Sequence, residues 1–124
     1  IGVDADPAML EAARTKAPEL PWLQADLADL SDAAAGPYDL IVLAGNVMIF
    51  LEPGTEQKVL ADLAGRLLPG GLLLAGFSLR PGRLSLEDYD GMAAESGLEL
   101  VSRWATWDRQ PFSGGDYAVS VHRR

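Results

Sequence analysis

The chain has 124 residues, 48% of them hydrophobic and 23% charged, with 13 glycines, 8 prolines and no cysteine. That length suits a single domain, and the missing cysteine excludes disulfides, thiolate zinc sites and cysteine nucleophiles together, as a reducing cytoplasm would allow. Ten Lys and Arg against 18 Asp and Glu leave a net charge of −8 with the one histidine neutral, a surface that repels phosphate backbones and speaks against a nucleic-acid partner.

The chain opens at Ile1 inside an expected strand, with no basic and apolar regions to argue for a signal peptide. A start on Ile instead of Met leads us to expect residues upstream. Ile1-Gly2-Val3-Asp4 is a short apolar run closed by an acid, and Asp6-Pro7 places a capping aspartate before a proline at the first helical position. The helix carries Met9, Leu10 and Ala13 at helical spacing and should stop by Ala17, because Pro18 disfavours α geometry before it. Trp22 to Asp26 reads as a second strand, again ending in an aspartate, and Leu27 to Gly36 as a loop or short helix.

Tyr38 to Ala44 is a nearly continuous apolar run, which predicts a central strand buried on both faces. The apolar stretch from Leu40 to Leu51 is broken by Gly45 and Asn46 and falls short of the roughly 20 residues that span a bilayer, so no membrane partner is expected. Thr55 can cap a helix in which Val59, Leu60, Leu63 and Leu67 share one face, ending at Pro69-Gly70-Gly71. Leu72 to Phe77 is the next strand. Such alternation argues for a parallel sheet with helices on its faces. Ser85 and Asp88 then mark a helix start, Leu86, Tyr89, Met92 and Ala93 its apolar face, and Gly97 its end. Leu98 to Asp108 and Tyr117 to His122 read as an antiparallel hairpin around a Pro111 to Gly115 loop.

In an open α/β sheet, ligands sit beyond the carboxyl ends of the strands. Three such ends carry polar residues: Asp4 with Asp6, Asp26, and Asn46 after Ala44-Gly45. Asp6 is explained by capping alone. Asp4, with no such local duty apparent, can accept both hydroxyls of a ribose, and Asp26 an exocyclic amine such as that of adenine. The small residues at Ala44-Gly45 either let a ligand approach the backbone or simply reverse the chain.

Four segments together resemble the class I S-adenosylmethionine-dependent methyltransferases: Ile1 to Leu10, Ala25-Asp26-Leu27, Tyr38 to Val42, and Leu67 to Leu74 with its Pro69-Gly70-Gly71. The closing hairpin is also similar to the family's last two strands. The resemblance implies a Rossmann-like, mostly parallel sheet with helices on both faces, a C-terminal antiparallel hairpin, and S-adenosylmethionine as cofactor. It implies that Asp4 holds the ribose hydroxyls, Ala5 and Met9 line the adenine, Asp26 meets the adenine amino group, the Leu27 N–H reaches the ring, and Ala44 lies beside the methionine part.

It further implies that the family's first strand, helix and glycine-rich loop lie upstream of Ile1. The strands ending at Asp4 and Ala44 would then have open edges, able to pair with each other or with a second copy. We therefore expect methyl transfer to a small-molecule acceptor by the full-length parent, with this chain by itself possibly inactive. The alternative is a non-catalytic, methyltransferase-like module that binds or exchanges strands. A nucleotide-sugar or nicotinamide enzyme using Asp4 is a second rival, disfavoured by Pro69-Gly70-Gly71 and the hairpin. Positioning carries much of the rate in such a displacement, so no residue is singled out as catalytic.

The remaining polar and aromatic residues have plainer readings. His122 beside Arg123 and Arg124 reads as a solvated terminal residue, and one histidine cannot build a multi-histidine metal site. Asp88 and Asp90 read as a charged helix face. Regular alternation would put Trp104 and Trp107 on opposite faces of their strand, so that they cannot both fill one core and one of them can line a pocket or an interface, although core packing is the commoner reason for aromatic residues at strand positions.

Overall fold

The computed structural model describes every residue from Ile1 to Arg124, and the chain divides into two units, Ile1–Gly36 and Pro37–Arg124. In the first, β1 (Gly2–Asp4) pairs in parallel with β2 (Trp22–Gln24), Gly2 opposite Trp22 and Asp4 opposite Gln24. The crossover is α1 (Pro7–Lys16), which starts where its residues require: Asp6 has extended backbone, its side chain accepts the Ala8 N–H, and Pro7 follows. It ends at Ala17, before Pro18, with Arg14 and Lys16 in the last turn against the negative end of the helix dipole. Only part of the expected apolar face is buried, Leu10 at 1% exposure against Met9 at 58%, because adjacent helical residues point about 100° apart. Two single 3₁₀ turns, Leu27–Asp29 and Asp32–Ala34, complete the unit.

The second unit contains β3 (Tyr38–Leu43), α2 (Val47–Phe50), α3 (Glu56–Gly65), β4 (Leu67–Ser78), α4 (Leu86–Glu95), β5 (Glu99–Trp104) and β6 (Tyr117–Arg123). Its sheet runs β3-β4-β6-β5, with β3 parallel to β4 and β6 antiparallel to both its neighbours. Leu73, Ala75 and Phe77 of β4 stand beside His122, Ser120 and Ala118 of β6 on one face, all essentially inaccessible. The Tyr89 ring of α4 packs edge-on against both Phe77 and His122. Val59, Leu60 and Leu63 of α3 are equally buried, each worth about 1.5–3 kcal/mol on removal from water.

The α/β class and the closing antiparallel hairpin are as expected; three details differ. β3 is the edge of its sheet, not a strand covered on both sides: Leu40 and Val42 are 51% and 48% exposed. Leu67 belongs to β4, where it pairs with Tyr38, and α3 stops at Gly65. Thr55 makes no side-chain cap; its hydroxyl donates to the Glu52 carbonyl, while Glu56 accepts the Gly54 N–H. No helix is long and apolar enough to cross a membrane.

Candidate functional site

Each parallel pair ends in a polar turn. In the first unit the Ala25 N–H donates to the Asp4 carbonyl at 3.0 Å, holding the carboxyl ends of β1 and β2 together. Asp4 does have a local duty: its Oδ1 accepts the Asp6 N–H at 2.9 Å. That bond orients an exposed carboxylate and leaves its second oxygen for another donor. The same corner holds Ala5, whose carbonyl accepts a long bond of 3.4 Å from Gln24 Nε2, and exposed Met9 one helical turn on. Asp26 repeats the device at the end of β2, its Oδ1 accepting the Ala28 N–H at 2.8 Å and capping the first 3₁₀ turn. Leu27, as first residue of that turn, has no partner for its N–H within it.

In the second unit β3 ends at Leu43 and the chain turns through two left-handed residues, Gly45 at φ 81° and Asn46 at φ 63°. Asparagine tolerates this conformation better than other residues with a Cβ. Here it is fixed by function in the fold, since Asn46 Oδ1 accepts the Ser78 N–H at 2.7 Å and ties the end of β3 to the end of β4. Ala44 is left exposed before this staple. From the sequence Asn46 is only a polar strand end; its left-handed geometry and its partner 32 residues away carry no local signal.

The hairpin also departs from the regular alternation assumed for it. β5 stops at Trp104, so Trp107 lies in the connecting loop. Its Nε1–H donates to Tyr117 Oη at 2.9 Å, and its ring rests on Gly76 of β4. Arg109, at φ 69°, sets its guanidinium over the Trp104 ring at 5.6 Å from the centroid.

A second polar cluster lies inside the second unit. His122 is 1% exposed, not solvated as its place beside two arginines suggested, because β6 is flanked on both edges by β4 and β5. Its Nε2 is 3.3 Å from Asp90 Oδ1, an ion-pair distance without hydrogen-bond alignment, and Tyr89 Oη is a second buried group without a partner. Asp90 is engaged by Arg103 at 2.5 Å, and Arg103 Nε also donates to Ser120 Oγ. Burial pushes the His122 pKa down, against an opposing pull from Asp90, and burial likewise pushes the Tyr89 hydroxyl up. Asp88 stays exposed outside this cluster. Since His122 pairs with Leu73, five residues before Ser78, the cluster lies roughly 16 Å along the sheet from the carboxyl end. Within the second unit it therefore stands away from the turn that follows β3.

Residues 1–71 match the family described as "Methyltransferase domain". The chain is similar to a trans-aconitate 2-methyltransferase of Azoarcus sp. (strain BH72), 41% identical over 73 residues, or 59% of this chain and 27% of that protein. Among solved structures it is similar to a TehB-like SAM-dependent methyltransferase of Corynebacterium glutamicum, with 34% identity and a TM-score of 0.86 over 98% of this chain and 65% of the other. The N-methyltransferase NodS of Bradyrhizobium japonicum, solved in complex with S-adenosyl-L-homocysteine, shares the fold at 23% identity and a TM-score of 0.76, over 98% of this chain and 64% of that one. The chain thus spans about a quarter of the first relative and just under two thirds of the two structures. With its parallel pairs, its acidic turns and its closing hairpin, the chain belongs to the class I S-adenosylmethionine-dependent methyltransferase family.

Proposed function

We propose that the chain supplies cofactor contacts to a methyltransferase that moves a methyl group from S-adenosylmethionine to a small-molecule acceptor in the cytoplasm, both units belonging to one methyltransferase domain. The observation that carries this reading is Asp4: an exposed carboxylate at the carboxyl end of a parallel strand, oriented through one oxygen by the Asp6 N–H. A carboxylate held so can accept from two vicinal ribose hydroxyls. In the same unit Ala5 and Met9 flank the adenine, Asp26 accepts from its amino group, and Leu27 offers its N–H. In the other unit Ala44 borders the methionine part. The cofactor, when bound, supplies the electrophilic methyl group; the chain's own part is to bind and orient it, which in an in-line displacement provides much of the rate.

Calorimetric titration with S-adenosylhomocysteine, repeated on Asp4→Ala, tests this. Micromolar binding that weakens at least about 30-fold in the variant supports it, since a hydrogen bond to a charged group contributes about 1.5–3 kcal/mol and Asp4 makes two. Undiminished binding by Asp4→Ala counts against it.

One observation favours a second reading, a strand-exchanging interaction module. β1 and β3 both have an unpaired edge, and the face of β3 beside that edge exposes Leu40 and Val42. A homodimer by sedimentation that dissociates on Val42→Lys would support that module; a monomer at all concentrations would remove it.

A further inference from the structure

We propose that Trp107 forms a wall of the methyl-acceptor site and that the acceptor it receives presents a flat aromatic ring. This rests on the methyltransferase reading above and adds the substrate class to it. Leu43 pairs with Ala75, so one step further along both chains brings Ala44 opposite Gly76. On its other side Gly76 pairs with Val119 of β6. The space a side chain would take at Gly76 is already filled: a Cβ there would lie 2.5 Å from Tyr117 Oη and 2.6 Å from Trp107 Cζ2. The indole therefore rests on the bare backbone of β4, the strand next to the one that ends before Ala44.

The ring is held in place before any ligand arrives. Its N–H is bonded to Tyr117 Oη, the Ala105 N–H closes the loop onto the Gln110 carbonyl at 2.7 Å, the Thr106 hydroxyl donates to Asp108, and Trp104 bridges to Pro111. Even so, Trp107 is 41% exposed. An immobilised indole with much of its surface open is a surface prepared for stacking, because little side-chain entropy remains to be lost on contact.

The chemistry of the wall selects the ligand. With its N–H spent on Tyr117, Trp107 offers only a π face. The Tyr117 hydroxyl, having accepted that bond, keeps its own proton to donate. A flat apolar face beside one hydroxyl donor matches an aromatic ring bearing an oxygen or nitrogen. A polycarboxylate fits poorly, since the loop's guanidinium, Arg109, lies over Trp104 instead and the chain as a whole is acidic.

Titrating the ¹⁵N-labelled protein with phenol, with and without saturating S-adenosylhomocysteine, tests this through the indole N–H resonances of its three tryptophans. Phenol is expected to move the Trp107 resonance saturably and to leave that of Trp22 in place. Trp107→Ala should weaken phenol binding about fivefold or more, and Trp107→Phe should restore it to within about twofold, the range of a single aromatic pair; the affinity for S-adenosylhomocysteine should stay unchanged in both. Equal phenol binding by Trp107→Ala, or a Trp107 resonance that responds to citrate and not to phenol, overturns the proposal. Loss of S-adenosylhomocysteine binding in the unmodified chain would instead strike the methyltransferase reading, and the phenol titration without it would still decide the aromatic wall.

Discussion

Both units set a tryptophan on a glycine, and the two pairs serve different ends. In the first, a Cβ on Gly2 would fall 2.0 Å from the Trp22 ring, and Trp22 spends its N–H on the Ala17 carbonyl at 2.9 Å, pinning the end of α1 to β2. In the second, Trp107 sits on Gly76 and keeps 41% of its surface open. The units differ as wholes in the same sense. Unit one has three-residue strands and a single large buried side chain, Leu10, so its order depends on aspartates that satisfy turn N–H groups. Unit two has a continuous core from α3 through β4, α4 and β6. Local polar geometry shapes the first and hydrophobic burial the second, and two of the carboxylates that hold the first unit's turns, Asp4 and Asp26, are the ones proposed above to meet the cofactor.

The contrast breaks most sharply at Phe77, which is fully buried against Tyr89. Phe77→Ala should cost about 3–5 kcal/mol, from lost transfer energy and the cavity left behind, read as a lower denaturant midpoint at unchanged slope.

Asp90 comes next. Its removal leaves Arg103 and His122 without their carboxylate, at a cost of roughly 2 kcal/mol, discounted because Asp90 is itself partly exposed. The same cluster gives a pH dependence. The His122 pKa is held below 6.5 in the fold, so between that lowered value and 6.5 the unfolded chain binds more protons than the native one. The stability from a neutral His122 is complete above pH 6.5 and drains away as pH falls through the folded value. Urea midpoints measured from pH 7.5 to 5 should fall on acidification, and His122→Gln should flatten that fall.

Smaller effects sharpen the comparison. Asn46→Gly keeps a residue suited to φ 63° but strands the Ser78 N–H, which should cost about 1–2 kcal/mol and show as faster hydrogen exchange at Ser78. Asp26→Ala removes only a cap. It should cost about 1 kcal/mol, seen as faster exchange at Ala28 with the second unit unchanged.

Much of this was legible from the residues, and the reasons are local. Asp6-Pro7 and Ser85 cap their helices as their types require, and the strand ends at Asp4 and Leu43 fall where apolar runs stop, while β2 stops at Gln24, two residues short of the expected Asp26, which caps the next turn instead. The misreadings share a cause: each depended on a neighbour distant in the chain. Pro69-Gly70-Gly71 looks like a helix stop, yet Gly70 turns left-handed at φ 81° and is bonded to the Arg124 carbonyl, letting β4 run through from Leu67. His122 looked terminal and solvated, but β5 and β4 close on both of its sides. β3 is apolar enough for a central strand, and its open edge appears only once the strand order is known. Trp107 reads as a strand residue because nothing in the sequence announces that β5 stops at Trp104.

The central claim is that the turns after Asp4, Asp26 and Ala44 hold the cofactor. Hydrogen exchange with and without S-adenosylhomocysteine reads it directly. The account predicts slowed exchange at the amides of Asp6, Leu27 and Gly45, with the His122 region unchanged. Binding that leaves those three amides unprotected, or protects the Tyr89–His122 cluster instead, would contradict it.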